Sequence, residues 1–393
     1  MTTDRQDVVI VGGGVMGCSV AYHLKLLAPE LGVLVIERDP RYVAASSALS
    51  ASSIRQQFSS PVNIALSQYG FRFLSEAGDR LAVTGERPDV GLVERGYLYL
   101  ATAAGAESLR ELNALQRGCG ADVALLAPDA LAARFPWLAT HDLALGSLGL
   151  HGEGWFDGYA LLQALRRKAK ALGAGFLHAE VTGLEMSAGR VAAVDCGDGR
   201  RIACGELVNA AGPQAGHVAR LAGVELPVVP MRHGVFVFEC RDALADVPLV
   251  IDPCGLWFRP EGARRFLVGA PPRDPASPDN ATLEVDHAQF DDELWPALAH
   301  RVPAFEAIRR TSAWAGFYEM NTFDHNAIIG RVPDVANLLL INGFSGHGLQ
   351  QAPAAGLALA EILVHGAAGT IDVSPLAFDR IAAGRPVRER NVI

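Results

Sequence analysis

The sequence predicts a mixed α/β fold in which a parallel, nucleotide-binding unit carries an inserted antiparallel sheet that faces the substrate. Three observations predict it. Residues 7–39 read as strand, glycine turn, helix and second strand. Residues 226–320 change to alternating strands such as VVPMRHGVFVFEC and RRFLVGA, the pattern of an antiparallel sheet rather than a parallel one. Residues 337–366 then return to strand, glycine loop and long helix. The division that follows gives 1–88, 145–225 and 321–393 to the nucleotide-binding domain, and 89–144 and 226–320 to the substrate domain.

In the first stretch an apolar run at 8–11 leads into Gly12, Gly14 and Gly17, spaced as G-x-G-x-x-G. The first glycine permits a sharp turn, the second lets backbone approach a pyrophosphate, and the third lets the helix pack on its strand. Val15 and Met16 open that helix, whose first N–H groups face the phosphates. The second strand ends on Glu37 and Arg38. Glu37 lies 20 residues beyond Gly17, where a carboxylate accepts hydrogen bonds from a ribose. Strand, turn, helix, strand and acid together make the unit Rossmann-like.

With 393 residues, half of them hydrophobic, the chain buries a large core. The net charge of −9 and the lack of a clustered basic face argue against nucleic acid. The six cysteines form neither C-x-x-C nor a metal-type pairing with histidine, so they read as reduced thiols and no metal site is expected. No uncharged apolar run reaches the roughly 20 residues that span a bilayer. The expectation is a cytoplasmic protein.

After Glu37 the chain is rich in Ser and Ala, including Ser46 and Ser47, and small side chains let backbone lie close to a ligand. Arg55 is the only charge between Arg41 and Arg72. It reads either as a surface loop arginine or as a substrate or cofactor contact. Helices are expected at 61–76, 106–117 and 159–172, the last capped by Asp157 and stopped by Gly173. A strand is expected at 91–103 and a meander from 175 to 204 with GDG as a hairpin turn. A strand then runs into Ala210, Ala211 and Gly212. Between 226 and 320 one helix is expected at 288–300. Trp257 and Tyr318 read as pocket wall or core. Beyond the strand at 338–341, Gly346, His347, Gly348, Leu349 and Gln350 form a loop and helix start that favours negative charge. His347 reads as a loop hydrogen-bonder or a proton carrier.

These glycine stretches, in this order around an antiparallel sheet, resemble the glycine oxidase, D-amino-acid oxidase and sarcosine oxidase family of flavoproteins over nearly the whole chain. The strings IRQQFSSPVNIALS, LEVDH, RVPAFE, SAWAGFYEMNTFDHNAIIG, GFSGHGLQQAP, IDVSPLAFDR and RNVI are similar to its mitochondrial subgroup of FAD-dependent oxidoreductase domain-containing proteins, tied to respiratory complex I assembly. The resemblance implies FAD, bound through Gly12, Gly14, Gly17, Glu37, the Ser46–Ser47 region, Val181, Ala211, Gly212 and the loop from Gly346 to Gln350. A reduced flavin would place its negative edge at that last loop. Arg55 matches the arginine that holds the substrate carboxylate in sarcosine oxidases, and Tyr318 matches a tyrosine at the flavin. Gln350 stands where those enzymes have a carboxylate-binding lysine.

No cysteine falls near Gly316, where sarcosine oxidases link flavin covalently, and the Ser/Ala-rich segment lacks the linking histidine of dimethylglycine dehydrogenases, so non-covalent FAD is expected. The implied activity is oxidation of an amine, an amino acid or N-substituted amino acid, by hydride transfer to flavin N5 and hydrolysis of the imine. The alternative is an FAD-containing assembly or interaction protein with little turnover. Sarcosine oxidases use a lysine beside the flavin to speed reaction with oxygen. Leu267 falls near that position, Arg264 and Arg265 are its possible substitutes, and the only lysines are Lys25, Lys168 and Lys170. Slow oxygen use is therefore expected, with a quinone, flavoprotein or dye as acceptor and oxidase activity left open.

Overall fold

The computed structural model describes residues 4–275 and 282–390; the last three residues of the RNVI string lie outside them. Strand Asp4–Val11 sits between Val33–Glu37 and Arg201–Asn209, parallel to both. Gly175–His178 extends the sheet beyond Val33–Glu37, again parallel. The expected meander therefore starts later, at Val181–Ser187, and runs through Arg190–Cys196 to Arg201–Asn209. The reason is the crossover: the helix Gly158–Ala171 carries the chain back, and a strand delivered by such a helix enters parallel.

The last strand, Val335–Asn342, pairs parallel with Leu207–Asn209. Three strand ends, Val11, Asn209 and Asn342, thus lie side by side, and each is followed by one of the glycine stretches. Helices Val15–Leu27, Pro61–Ser75, Gly158–Ala171 and Gly348–His365 share one apolar core on a face of this sheet. The approach of the first and last is close enough that a Cβ on Gly356 would overlap the Ser19 side chain. Asp157 accepts from the Ala160 N–H at 2.8 Å, as the sequence led one to expect.

Among the described residues the second sheet holds eight strands, from Ile308–Asn321 through Val228–Cys240, Arg265–Gly269, Trp257–Pro260, Leu249–Ile251, Tyr97–Ala101 and Leu145–Gly149 to Val123–Leu126. One pair is parallel, Leu249–Ile251 with Tyr97–Ala101, because the chain leaves for the other domain between them. Leu145–Gly149 pairs here on both sides, so the chain returns to the nucleotide-binding part after 149 rather than at 145. The helix expected at 288–300 is three pieces, His287–Gln289, a wide π turn at Phe290–Leu294 and Trp295–Arg301. Pro296 has no N–H to give to residue 292, which loosens the ladder at that point.

Candidate active site

A cavity of about 420 Å³ opens at the three adjacent strand ends and runs to the second sheet. Gly12 begins it. Its φ is +101°, and a Cβ there would overlap the carbonyl oxygen of Ala210, so the first two glycine stretches fit only with glycine at this position. Gly14, Val15, Met16, Arg38, Val181, Ala211 and Gly212 line the same space. Gly17 does not; a Cβ on it would overlap the Gly12 carbonyl, which is the helix-to-strand packing expected of a third glycine.

Glu37 is held rather than free to swing. Its Oε2 accepts from the Gly13 N–H at 2.7 Å and its Oε1 from the Asp39 N–H at 2.8 Å. At the helix start, Gly14 offers no capping side chain, and Ser47 Oγ supplies the bond instead, accepting from the Val15 N–H at 3.1 Å. Ser46 Oγ is buried with no partner among the described residues.

The other end of the cavity brings together Arg55, Trp257, Tyr318 and the loop from Gly346 to Gln350. Gly346, at φ +95°, lies flat against Tyr318, and a Cβ on it would overlap the ring. Arg55 is 4% exposed. Its guanidinium lies 4.2 Å from the centre of the Phe58 ring and donates through Nη1 to the Tyr99 hydroxyl and, at 3.1 Å, to Gln57 O. Such a site keeps the charge while limiting its motion. Gln350 is tied to the same segment, its Oε1 accepting from the Arg55 N–H at 2.8 Å and from Ser67 Oγ at 3.3 Å. Trp257 both lines the cavity and packs on Gly269, so pocket wall and core packing are one role.

His347 is buried, with neither ring nitrogen partnered among the described residues. Burial, then the nearby charge of Arg55, pushes its pKa down to about 3. It is a neutral imidazole at ordinary pH, which removes a resting imidazolium from the reading of the site.

Sequence reasoning passed over Tyr97, His233 and Glu319 in the cavity wall, and Glu153 behind Arg55. Tyr97 lines the cavity and stacks with Tyr99, which holds Arg55; the alternation YLYL was the available signal, putting both rings on one face of a strand. His233 stacks 3.7 Å from Tyr318 with Nε2 unpartnered, and burial pushes it down to about 3. Glu319 accepts from the Gly343 and Phe344 N–H groups, yet burial pushes its carboxyl up to about 8 and Oε2 has no partner among the described residues. His233 follows Arg232 and Glu319 follows Tyr318 in strands that carry other charged residues, so nothing in the sequence marks either as a buried group facing a cavity. Glu153 sits between two glycines in a turn, where nothing in the sequence marks it.

Neither Leu267, nor Arg264 or Arg265, nor any lysine lines this cavity. Leu267 lies on the same face of the sheet as the cavity-lining Trp257 and Val235 and is buried with them in one apolar cluster. Gly316 packs against Leu49, and a Cβ on it would stand 3.3 Å from the Leu49 carbonyl oxygen. Among the described residues one ligand-like cluster, His141, Asp142 and His300, has its ligand atoms within 4.8 Å of one another at the surface, but both Asp142 oxygens already accept from Arg301 at 2.9 and 3.0 Å.

The cavity suits FAD on its own chemistry. Positive-φ glycines clear the path at its two ends, and a helix N-terminus and the anchored Glu37 carboxylate stand at one of them. Buried unpartnered atoms of Ser46, His233, Glu319 and His347 face it. Buried polar atoms without partners are costly, and a ligand carrying both donors and acceptors would satisfy them.

Comparison with known proteins agrees with this geometry. Residues 7–362 match the family model described as DAO: FAD dependent oxidoreductase. The chain is 42% identical to the FAD-dependent oxidoreductase domain-containing protein 1 of Xenopus laevis, over 99% of this chain and 85% of that one. It is 28% identical to human mitochondrial sarcosine dehydrogenase, over 92% of this chain but 40% of that longer protein. The crystal structure of glycine oxidase from Geobacillus kaustophilus is 26% identical and superimposes with a TM-score of 0.80, covering 95% of this chain and 98% of the other. No helix among the described residues is long and apolar enough to cross a membrane.

Proposed function

Because the chain belongs to the family of FAD dependent oxidoreductases, we propose that it oxidises an amino acid or N-substituted amino acid to the imine, which water then hydrolyses. The observation that carries this reading is Arg55, a buried guanidinium on the wall of a cavity whose other end is built like a dinucleotide site. FAD, held by the three glycine stretches, supplies the hydride acceptor. Arg55 binds the substrate carboxylate by charge-assisted hydrogen bonds, and Phe58 and Tyr99 fix where that carboxylate lies. Tyr97, Trp257 and Tyr318 exclude water around the reacting carbon. His347, neutral, offers a lone pair without adding a charge that would repel a cationic amine. That human sarcosine dehydrogenase and a bacterial glycine oxidase are relatives supports an amino acid as the substrate class.

Oxygen use is slow on this reading, since no lysine lines the cavity and the guanidinium at its substrate end, Arg55, is engaged by substrate, whereas a positive charge at the flavin is what stabilises developing superoxide; a quinone, flavoprotein or dye is the favoured acceptor, with an oxidase as the second reading. Unpaired thiols at all six cysteines fit a reducing compartment, with the cytoplasm as part of this reading.

Anaerobic mixing with a panel of glycine, D-amino acids and secondary amines is the test. At least one member bleaches the flavin band; no bleaching anywhere sinks the proposal. Arg55→Ala abolishes that bleaching while FAD stays bound. No bleaching by the FAD-loaded wild type would shift the weight to a protein that keeps FAD for structure and assists assembly of a larger complex, whereas unchanged turnover in the variant would remove Arg55 as the anchor. Reoxidation in air-saturated buffer faster than turnover, with stoichiometric hydrogen peroxide, would make the enzyme an oxidase.

A further inference from the structure

We propose that Glu153 is the positioning residue of the Arg55 anchor, and that it takes up a proton when an anionic group pairs with Arg55. The inference rests on Arg55 as a carboxylate anchor and adds a charge balance to it.

The geometry is built around one carboxylate. Glu153 is fully buried, in the turn between strands Leu145–Gly149 and Gly154–Trp155. Its Oε1 accepts from the Gln56 N–H at 2.6 Å and the Gln57 N–H at 3.1 Å, and its Oε2 accepts from Gln57 Nε2 at 2.9 Å. All three donors belong to the two residues that follow Arg55. The peptide so held passes the constraint on, because Gln57 O accepts from Arg55 Nη1. Space for the carboxylate exists only because residue 149 is glycine; a Cβ there would overlap Glu153 Oε2. The Glu153 carbonyl accepts from the Gly96 N–H at 2.9 Å, which ties the same turn to the strand of Tyr97 and Tyr99.

A buried carboxylate normally meets a cation directly. Here these three donors are all amides, and the positive charge acting on Glu153 is the Arg55 guanidinium next along the chain. The other ionisable groups facing this pair are Tyr97 and Tyr99 from the adjoining strand, Tyr318 and His347 from the cavity wall and Glu389 from the C-terminal segment. Burial pushes the three tyrosines above their ordinary range and His347 below its own, so these four add no charge near neutrality. Burial likewise pushes Glu153 up to about 7, with the Gln57 and Gln56 hydrogen bonds and Arg55 pulling the other way.

Arg55 is the cation acting on Glu153 in a dry region that Glu389 also faces. An anion on Arg55 adds negative charge about that one positive charge, and the least costly response is a proton on Glu153, which is fully buried. Because that group titrates near neutrality, the coupling falls in an accessible range. The sign follows: anion affinity is greatest where Glu153 is already protonated, below about pH 7, and weakens above it by up to roughly tenfold per pH unit.

Propionate, titrated into the FAD-loaded protein and followed by perturbation of the flavin spectrum and by calorimetry in two buffers of different ionisation enthalpy, tests this. Wild type takes up close to one proton per propionate at about pH 8 and little at about pH 6. Glu153→Gln takes up none and binds with the same affinity at both values, an outcome that a purely structural role would not produce. Propionate binding without proton uptake at the higher pH, or equal uptake in the variant, overturns the inference and leaves the anchor reading standing. If propionate does not perturb the site at any concentration, anchor and inference fall together. Should the variant not fold, proton uptake by wild type decides alone.

Discussion

Two buried polar clusters of this molecule are wired in opposite ways. In one, where the segment 321–327 meets the C-terminal segment, every charge is met by protein. Arg380 Nε and Nη2 donate to Asp324 at 2.7 and 3.0 Å, and Asp324 also accepts from Asn321 Nδ2 at 3.0 Å and the Val387 N–H at 3.0 Å. Arg380 further donates to the Leu376 and Ala327 carbonyls, and Asn63 joins Asn326 to Glu389. In the other, the cavity, Ser46, His233, Glu319 and His347 keep buried atoms that no described residue satisfies. Equal burial with unequal satisfaction separates a clamp, which the chain completes for itself, from a site that a ligand completes.

The largest effect expected from that contrast is on the clamp. Asp324→Ala strands a buried guanidinium, and chemical unfolding should show a loss of about 3–5 kcal/mol. A loss below about 1 kcal/mol would mean that water replaces the carboxylate and that the clamp is not what it looks like. The same variant should still gain stability from FAD, since Asp324 does not line the cavity; the link between the clusters is Ser345, whose Oγ accepts from the Asn321 N–H and whose N–H donates to the Glu319 carbonyl.

Next comes the cavity's response to its ligand. Adding FAD to FAD-free protein at a hundredfold excess over Kd raises stability by about 2.7 kcal/mol, visible as a higher Tm. No shift would leave the orphaned atoms unexplained. With no cysteine beyond Cys254, acid precipitation should leave free FAD in the supernatant, and a yellow pellet would contradict non-covalent binding.

The contrast also explains what the sequence made legible. The glycine spacing and Glu37 could be read because a strand turning tightly into a helix demands glycine at fixed separations, as the close approaches at Gly12 and Gly17 show; the Ser46–Ser47 segment was legible through its small residues and the resemblance. Strings such as NTFDHNAIIG and IDVSPLAFDR were equally recognisable, yet they turn out to carry Asp324, Asn326 and Arg380. Their distinctiveness is architectural. Arg55 stood out as a lone charge, whereas its supports, Tyr99, Gln57 and Glu153, come from three separate segments. No periodicity within one segment announces a contact between residues nearly a hundred apart, and the pairing of 145–149 with the second sheet was hidden for the same reason.

The smallest effect concerns Glu319, and its sign is what sharpens the comparison. Burial raises this carboxyl to about 8, against an unfolded value near 4.3. The folded state therefore holds a proton that the unfolded chain gives up, and stability falls as pH rises from about 4.3 to about 8. His233 and His347, pushed down to about 3, act in the reverse direction: the unfolded chain binds protons that the folded one refuses, so stability falls as pH drops from about 6.5 towards 3. The cavity thus makes the FAD-free protein lose stability on both sides of a mildly acidic optimum, which the saturated clamp does not. Glu319→Gln removes the part of the alkaline arm that Glu319 contributes, leaving the part from Glu153, which burial pushes up to about 7. In FAD-free protein it should be more stable than wild type at about pH 8 by roughly 1–2 kcal/mol, once the lost acceptor for the Gly343 or Phe344 N–H is set against the gain. The advantage should vanish by about pH 4.5, while the acid limb set by the two histidines stays in place. Thermal melts of both proteins across that range decide it: a constant difference at every pH would show that Glu319 acts through packing, and that its unpartnered oxygen carries no charge cost for a ligand to relieve.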